Sequence, residues 1–527
     1  MCGILAVLCK NKEDESTINE LYKSYDEVLY KRGSDAGNFC VSDEHITGFT
    51  RLSINDTSAK GNQPFYLHND SGENILLLCN GEIWNHKQLE KEYNIECASK
   101  SDCHCIIYLY KKLGFQKMVT LLDGDFALII IDSGKMYIAR DRIGIRPLFY
   151  GTTTNGNIAV ASVALALTNL CDDVQQFVPG YAEYSEGKFT RYEYEYPVYN
   201  INTILSERSL LHDTINDTLT LAIRKRLISD RPIGCLLSGG LDSSLVASIL
   251  CKLIGSQNVR TYSIGMKGSE DLKYARIVAD FLNTQHTELL FTPQEGFDAI
   301  PDIIRDLESY DITTIRASVG MWLLAQYIST STTDKVIFSG EGSDELLAGY
   351  LYFKLAPNAT ALDDETKRLV KNLYKYDVLR ADRCISSHTL ELRVPFLDRD
   401  MINLGFNIPG ELKKPIDGIE KHILRRSFAE GRYLPSEVLN RSKVAFSDGV
   451  SDDSGKKWYQ MIQSFVDEKI TDAEFAEYKN LYPSKEAYYY KKIFDSIFPK
   501  YQPKMNYWLP KWIDTNGEPS ATVLPNY

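Results

Sequence analysis

The sequence has no apolar run long enough to span a bilayer, which argues against an integral membrane protein. A transmembrane helix needs about 20 consecutive apolar residues, whereas the apolar residues of this 527-residue chain lie in short segments separated by charged ones. The first residues, MCGILAVLCK, are apolar, but they lack a basic start and are followed at once by NKEDESTINE. A secretory signal has a basic region before its apolar stretch. We therefore predict a cytoplasmic protein that has no membrane partner.

Long basic segments are also absent. The chain has 59 lysines and arginines against 71 aspartates and glutamates, a net charge of -12. Such a charge repels a phosphate backbone, and no Lys/Arg run with interleaved aromatic residues compensates for it. The sequence therefore predicts no nucleic-acid partner.

Cysteines are neither dense nor regularly spaced. Their number, 11, is odd, and they are scattered through a long chain, unlike the frameworks of small disulfide-rich domains. Cys97, Cys103, His104 and Cys105 lie close in sequence, but no second Cys or His pair follows at zinc spacing. We predict reduced, structural thiols and no zinc site.

The length of the chain predicts more than one domain. The first part contains short apolar runs bounded by turn residues, which predict strands: GILAVLC, ENILLLCNGEI, DFALIIIDSGKMYIARD and NIAVASVALAL. A tyrosine-rich, poorly periodic stretch follows and predicts a linker. We predict a first domain at 2–186, a linker at 187–204, a second domain at 205–514 and a polar tail at 515–527.

The second domain alternates helical and strand patterns. SLLHDTINDTLTLAIRKRLI has the spacing of an amphipathic helix, and RPIGCLLSGG predicts a buried strand that runs into a glycine turn. VRTYSIGM and DKVIFSGEGSDE repeat the pattern of a strand followed by a polar loop. This alternation predicts a parallel α/β sheet with ligands at the carboxyl ends of its strands.

Cys2 is the first candidate catalytic residue. If Met1 is removed, the α-amine of Cys2, with a pKa of about 8, lies beside its own thiol and can accept the thiol proton. Position alone favours another interpretation, in which Cys2 is a small buried residue at the start of a strand. The choice depends on the residues that follow.

Several strings in the first 170 residues resemble class II glutamine amidotransferases: MCGI at the start, RGSD at Arg32–Asp35, RLSI at Arg51–Ile54, NGEIWNH at Asn80–His86, SD at Ser101–Asp102 and DRIGIRPLFY at Asp141–Tyr150. The resemblance implies an N-terminal-nucleophile fold, an αββα sandwich, with Cys2 as nucleophile. It also implies that the side chain of Asn80 and the backbone N–H of Gly81 form the oxyanion hole. The glutamine-binding residues that it implies are Arg51, Leu52, Ser53, Ile54, Asn55, Asn80, Gly81, Glu82 and Asp102.

The physical chemistry of these residues agrees with that assignment. A zwitterionic substrate needs a guanidinium and carboxylates, and an acyl-thioester intermediate needs donors aimed at its oxyanion. Taken alone, however, Asn80-Gly81 is also the strongest hairpin-turn signal. The chain departs from the family pattern at Lys31 and Ser34, which replace His and Pro. Val163 and Leu165 replace a Glu and a Lys near the route by which the family carries ammonia.

The string SGGLDSS, at Ser238–Ser244, predicts a phosphate site. It is neither a Walker A loop nor a GxGxxG turn. Its glycines bring the backbone close to phosphate oxygens, its hydroxyls can donate to them, and the following helix directs free N–H groups at the same point. Asp242 beside phosphates implies magnesium, which bridges carboxylate and phosphate oxygens. A helix cap would explain one Ser and one Gly but not the whole string.

By resemblance, this string is the pyrophosphate loop of ATP pyrophosphatases, with a doubly wound parallel sheet. Further strings between about Asp213 and Trp512 are similar to glutamine-hydrolysing asparagine synthetases: YDITTIRASVGMW, FSGEGSDEL, YDVLRADR, ELRVPFLD, GIEKHILR and AFSDG. The resemblance implies ATP-binding residues at Leu237, Ser238, Gly239, Gly240, Asp242, Ser243, Ser244, Ile264, Ser339, Gly340 and Lys421. It places Mg2+ on Asp242 and Asp344 and makes Glu341 catalytic. Arg316 and Arg393 are the candidates for aspartate.

The two resemblances together imply an enzyme that makes L-asparagine from L-aspartate, ATP and the ammonia of L-glutamine, through β-aspartyl-AMP. A homodimer is the candidate assembly. Two alternatives stay open: a related β-lactam-forming synthetase, whose members usually lack the nucleophilic cysteine, and a weakened sensor that binds ATP or amino acids. Cys2, Asn80, Asp242, Glu341 and Asp344 argue against both, because the loss of such groups is how a dead site would show.

Overall fold

The computed structural model describes residues 1–197, 208–444, 449–452, 455–503, 506–515 and 517–519. Within these residues the strands are β1 (Gly3–Leu8), β2 (Ala36–Val41), β3 (His45–Arg51), β4 (Phe65–His68), β5 (Asn74–Ile83), β6 (Gly124–Asp132), β7 (Lys135–Arg140), β8 (Phe149–Thr152), β9 (Ile158–Ala161), β10 (Gln175–Gln176), β11 (Gly180–Ser185), β12 (Lys188–Tyr192), β13 (Ile233–Leu236), β14 (Arg260–Gly265), β15 (Gln285–Leu290), β16 (Val336–Phe338) and β17 (Glu391–Arg393).

The helices of the described residues are α1 (Glu15–Lys23), α2 (His86–Glu92), α3 (Cys105–Leu113), α4 (Phe115–Leu121), α5 (Arg208–Lys225), α6 (Leu241–Ile254), α7 (Glu270–Leu282), α8 (Pro293–Leu307), α9 (Ile312–Ser331), α10 (Ser343–Leu346), α11 (Ala359–Asn372), α12 (Asp377–Ser386), α13 (Arg399–Asn407), α14 (Gly410–Lys413), α15 (His422–Ser427), α16 (Ser436–Leu439), α17 (Trp458–Lys469), α18 (Asp472–Ala476) and α19 (Lys485–Ile497). None of these helices is both long and apolar enough to cross a membrane.

The first region is a sandwich of two antiparallel sheets. One sheet has the strand order β10-β8-β9-β1-β3-β2 and the other β12-β11-β7-β6-β5-β4. The apolar run of β1 is buried throughout because it lies between β3 and β9 and faces the second sheet. Ile4 of β1 packs in one cluster with Leu78 of β5 and Ile129 of β6. Helices α3 and α4 contribute to a separate cluster with β5 and β6, as in the predicted αββα sandwich.

The second region contains a parallel sheet with the order β15-β14-β13-β16-β17. The strand order reverses between β13 and β16, so the loops that follow these two strands meet at one edge of the sheet. Such a switch point is where ligands bind in open α/β sheets. The predicted fold class, an antiparallel sandwich followed by a doubly wound parallel sheet, is confirmed.

Three local predictions need correction. The end of the predicted strand NIAVASVALAL is a short 3-10 helix, Ala164–Ala166. Lys188–Tyr192, placed in the predicted linker, pairs with β11 as an edge strand of the second sheet. Asn80-Gly81 lies within β5 and forms no hairpin turn there. The rest of the linker from residue 198, most of the tail and most of the AFSDG string lie outside the described residues.

Buried ion pairs join the two regions. Asp382 of α12 accepts from Arg32 and Arg146 of the sandwich, each at 3.2 Å. Glu308, at the end of α8, accepts backbone N–H groups of Ala164 and Leu165 at 2.9 and 2.6 Å. Since a buried charge without a partner is costly, these contacts hold the two regions in one relative position.

Candidate active sites

Cys2 immediately precedes β1, and its surroundings are built by both regions. Its Sγ lies 3.8 Å from the carbonyl oxygen of Leu52, and its own carbonyl accepts from Arg32 Nε at 3.1 Å. Met1 is buried, and its amino group donates to the carbonyl of Leu390 at 3.2 Å. Burial lowers the pKa of that amino group to about 5 and raises the pKa of the Cys2 thiol.

Asn80 and Gly81 occupy the predicted oxyanion position in β5. The Asn80 side chain has 0% exposure, and neither its Oδ1 nor its Nδ2 has a hydrogen-bond partner among the described residues. A buried amide without partners is rare, because its desolvation is not compensated. At Gly81 a Cβ would come within 2.3 Å of the carbonyl oxygen of Asp125. The backbone there therefore requires glycine.

Arg51 organises the loop that carries the predicted glutamine contacts. Its Nη1 donates to the carbonyl of Ser58 at 2.7 Å and to Asn62 Oδ1 at 2.8 Å. Asp35, from the RGSD string, accepts the backbone N–H of Ser53 at 2.8 Å. Leu52, Ser53 and Ile54 are buried along this loop. The guanidinium of Arg51 thus shapes the loop through four acceptors, the carbonyls of Asn55 and Asp56 included.

Glu82, Asp102 and Asn55 meet beside this loop. Asn55 Nδ2 donates to Glu82 Oε2 and, at 3.3 Å, to Asp102 Oδ1. Asp102 Oδ2 accepts the backbone N–H of Ile83 at 2.6 Å. Burial, together with the neighbouring Asp102 and Glu391, holds the pKa of Glu82 well above its ordinary value. Burial also raises the pKa of Asp102. The cluster is short of positive charge, which a substrate ammonium group can supply.

The predicted phosphate loop connects β13 to α6 at the switch point. Ser243 Oγ lies 3.0 Å from Ser238 Oγ and accepts the Ser238 N–H at 3.2 Å. Gly240 begins α6 without a side-chain cap, so N–H groups of the first turn are available to an anion. Gly239 has φ +72°, and a Cβ there would meet the Ala275 nitrogen at 2.4 Å. The loop conformation therefore depends on glycine at 239.

A cavity of about 240 Å³ opens beside this loop. The predicted residues that line it are Leu237, Ser238, Gly240, Asp242, Ser243, Ile264, Arg316, Ser339, Gly340, Glu341, Asp344 and Lys421. Gly239 and Ser244 do not line it: Gly239 shapes the turn, and Ser244 is buried in α6. Two loops separated by about a hundred residues therefore form one site.

Asp242 and Asp344, the two predicted magnesium ligands, share a lysine. Lys421 Nζ lies 2.5 Å from Asp242 Oδ2 and 2.7 Å from Asp344 Oδ1. Lys443 Nζ lies 2.7 Å from the other oxygen of Asp344. Burial alone would raise the pKa of Asp344, but the two lysines outweigh it and hold that pKa below its ordinary value.

The donor set fits magnesium. Two carboxylates directed at one point are hard oxygen ligands, and magnesium is usually held by one or two carboxylates together with phosphate oxygens and water. Within the described residues no cluster of three His, Cys, Asp or Glu side chains has the geometry of a metal site. Any further ligands would therefore have to come from ATP and solvent.

Glu341 follows β16 and faces the same cavity. Arg380 Nη2 donates to Glu341 Oε2 at 2.8 Å and to Asp377 Oδ1 at 3.0 Å. Burial raises the pKa of Glu341, and Arg380 opposes that effect. A carboxyl group with a raised pKa is a stronger proton acceptor than an ordinary carboxylate, as acid–base chemistry requires.

The two arginine candidates for aspartate lie in different places. Arg316, in α9, lines the cavity, where its guanidinium pairs with Glu486 at 2.6 Å and with Glu518 at 2.5 Å. Arg393 is absent from the cavity lining: its side chain lies at the boundary with the sandwich, paired with Glu391 at 2.8 Å. Of the two candidates, only Arg316 therefore lines the cavity, and a role of either arginine toward aspartate stays a prediction.

The sequence assigned no role to several charged or polar residues of the cavity. Arg380, Asp377, Lys443, Arg441 and Tyr350 all line it. Asp377 and Arg380 belong to the string YDVLRADR, and Lys443 lies two residues before the start of the AFSDG string. The signal that could have identified them was their position beside the quoted strings.

Comparison with known proteins identifies the family. The family model described as asparagine synthase matches residues 214–362 and 354–513, and the glutamine amidotransferase domain matches residues 1–204. Glutamine-hydrolysing asparagine synthetases of Rattus norvegicus and Homo sapiens are each 38% identical over 574 residues, covering 100% of this chain and 99% of the relative. That of Gallus gallus is 38% identical over 575 residues with the same coverage. The chain therefore belongs to the family of glutamine-hydrolysing asparagine synthetases.

Proposed function

We propose that the protein is a two-site ligase that makes L-asparagine from L-aspartate with ATP, using ammonia released from L-glutamine, and that AMP, pyrophosphate and glutamate are the other products. The observation that carries the proposal is the presence of both sites in one chain. The unpartnered Asn80 amide lies on the same strand as Glu82, two residues before it, and the phosphate loop faces a cavity with Glu341.

In the glutaminase site, Cys2 is the proposed nucleophile and its α-amine, once Met1 is removed, the base. The thiol attacks the amide carbon of glutamine, and the oxyanion accepts hydrogen bonds from the Asn80 side chain and the Gly81 backbone. Donors already aimed at that oxygen are worth more than in water because they do not reorganise during the reaction. Glu82 and Asp102 hold the α-ammonium group, and the loop organised by Arg51 surrounds the substrate. Ammonia leaves, and water then hydrolyses the thioester to glutamate.

In the synthetase cavity, the loop at Ser238–Ser244 holds the phosphates of ATP. The β-carboxylate of aspartate attacks the α-phosphorus, which gives β-aspartyl-AMP and pyrophosphate, and Arg316 is our candidate for orienting aspartate. Lys421 is placed to accompany the departing pyrophosphate. Ammonia then attacks the activated carbonyl, Glu341 accepts its proton, and AMP leaves. Adenylation is needed because a free carboxylate is a poor electrophile.

We propose that Asp242 and Asp344 hold Mg2+. When bound there, the ion would neutralise phosphate charge during transfer. The two lysines that now balance these carboxylates are then free to contact phosphate oxygens.

Ammonia must reach the second site without meeting bulk water, since at neutral pH water converts it to unreactive ammonium. A continuous apolar cluster supports such a route. It contains Leu52 and Ile54 beside the glutaminase site and Leu237 and Met321 of the ATP cavity. We propose that ammonia crosses within this apolar contact between the two regions.

A product assay tests the proposal. The purified protein should convert aspartate, ATP–Mg2+ and glutamine into asparagine, AMP, pyrophosphate and glutamate in equal amounts. A β-lactam-forming relative would give no asparagine, and a sensor would release no pyrophosphate. Either result would contradict the proposed function.

Two further statements stay predictions. The 11 cysteines are all unpaired, which is usual in the reducing cytoplasm; fractionation of cells would test that location. A homodimeric assembly would be tested by light scattering of the purified chain.

A further inference from the structure

Arg393 belongs to the synthetase sheet, but its side chain reaches the glutamine site. It is the last residue of β17, where its carbonyl accepts the Ser339 N–H at 2.9 Å at the edge of the ATP cavity. Its side chain has 0% exposure. The guanidinium packs over the ring of Trp84, with its carbon 5.1 Å from the ring centroid. Trp84 lies two residues beyond Glu82 in the sandwich.

The guanidinium is fixed on most sides. Its Nε donates to Glu391 Oε1 at 2.9 Å, and its Nη1 donates to the carbonyls of Ile228, at 2.8 Å, and Arg226. Nη2 is ion-paired with Glu391 Oε1 at 2.8 Å, makes no hydrogen bond of good geometry among the described residues, and lies 4.0 Å from Glu82 Oε2. Glu391 and the two carbonyls thus fix the guanidinium with its Nη2 at ion-pair distance from Glu82, where its positive charge acts on both carboxylates.

The glutamine cluster needs such a cation. Glu82, Asp102 and Glu391 are all buried, and buried carboxylates repel one another unless a positive charge lies between them. Asn55 is neutral and can orient Glu82 but cannot balance it. Arg51 directs its guanidinium into its own loop. Arg393 is the guanidinium that the structure places against Glu82.

We propose that Arg393 is a positioning residue for glutamine: from the synthetase sheet, it holds the Glu82 carboxylate where it receives the substrate's α-ammonium group. This rests on the proposed glutaminase function. It also implies that the glutamine site is complete only when β17 is docked against the sandwich. Arg393 also contacts the ATP cavity, because its backbone carbonyl accepts the N–H of Ser339 at the cavity edge.

Steady-state kinetics of Arg393→Met and Arg393→Lys in the full chain test the proposal. Loss of one charge-assisted contact should raise KM for glutamine on the order of tenfold in Arg393→Met, with a much smaller change in the kcat of glutamate release. Arg393→Lys keeps the charge and should recover part of the loss. The rate of synthesis from added ammonium and the KM for ATP should stay near their wild-type values. Unchanged values would show that the variants are folded.

Arg226→Lys is the matched control. Arg226 is also buried and packs over Trp84, at 5.0 Å, but it pairs with Asp125 and Asp398. Its substitution perturbs the same boundary and should leave KM for glutamine unchanged. The proposal is overturned if Arg393→Met keeps the wild-type KM for glutamine. It is also overturned if both Arg393 variants lower the two activities equally, since that is a structural effect. Absence of glutaminase activity in the wild type would instead refute the proposed function.

Discussion

The two sites differ in how they balance their carboxylates. In the glutaminase site, burial raises the pKa values of Glu82 and Asp102, and the opposing charge of Arg393 does not cancel that effect on Glu82. In the synthetase cavity, Asp242 and Asp344 share Lys421, and Lys443 adds a second ion pair to Asp344. The glutaminase site therefore has an excess of negative charge that a cation can balance. The synthetase cavity contains lysines that can bind an anion. That difference matches an amino-acid ammonium group in one and a triphosphate in the other.

Removal of Lys421, the lysine shared by Asp242 and Asp344, should have the largest effect on activity. In Lys421→Met, Asp242 and Asp344 face each other with one ammonium fewer, and the departing pyrophosphate loses its contact. Loss of one partner of a buried pair costs about 3–5 kcal/mol. Because the contact to developing negative charge is lost, we expect asparagine synthesis to fall by up to about 10³-fold with glutamine and with ammonium alike.

Lys413→Met is the matched control for Lys421→Met. Lys413 is equally buried and pairs with Asp363 at 2.8 Å, but it is absent from the cavity lining. The Lys413→Met variant should have a lower melting temperature than the wild type, while its folded fraction keeps wild-type activity. Full activity of Lys421→Met would contradict the balance described for the synthetase cavity.

Asn80→Ala tests the glutaminase site separately from the synthetase cavity. The Asn80 amide has no partner among the described residues, so its removal breaks no protein hydrogen bond and should cost little stability. Loss of one oxyanion donor typically lowers kcat by about 10²–10³-fold. We expect that loss in glutamate release, with ammonium-dependent synthesis unchanged. A strongly lowered melting temperature would show that Asn80 has a structural role instead.

The pH dependence of glutamine binding gives the smallest expected effect. A raised pKa keeps Glu82 protonated to higher pH, and a protonated carboxyl is a poor partner for an ammonium group. KM for glutamine should therefore fall as the pH rises through that pKa, by at most about tenfold per pH unit. Asp102 and Cys103, whose pKa values are also raised, and the charges of Glu391 and Arg393 act on the same group.

Glu82→Gln checks this dependence because it cannot titrate. Its KM for glutamine should be higher than that of the wild type and nearly independent of pH, since pH profiles report the essential groups that titrate. KM for ATP should lack this dependence in both proteins, since the lysines hold the pKa of Asp344 low. The same slope in the variant as in the wild type would assign it to another group.

Contiguous strings gave the site predictions that could be made most directly from the sequence. Ser238–Ser244 could be interpreted without the structure because a strand, a glycine turn and a helix start fix the position of a short loop. Glu82 and Asp102 could also be proposed from the sequence because each lies in a recognisable string, and the structure brings both carboxylates into contact with Asn55. The fold class followed from the change from strand patterns to alternating strands and helices.

The contact of Arg393 with the glutamine site could not be predicted from the sequence. Alternation along β17 places Glu391 and Arg393 on one face and Leu392 on the other, but nothing local says which region of the protein that face contacts. That depends on packing between segments hundreds of residues apart. The same limit applies to Lys443, whose partner Asp344 is distant in sequence.

Cys2→Ala tests whether the glutaminase site and the synthetase site of this chain work as two separable sites. Asparagine formation would be measured with glutamine and, separately, with ammonium as the nitrogen donor. We expect the variant to lose glutamine-dependent synthesis and to keep ammonium-dependent synthesis near the wild-type rate. Equal loss of both activities would contradict the two-site account.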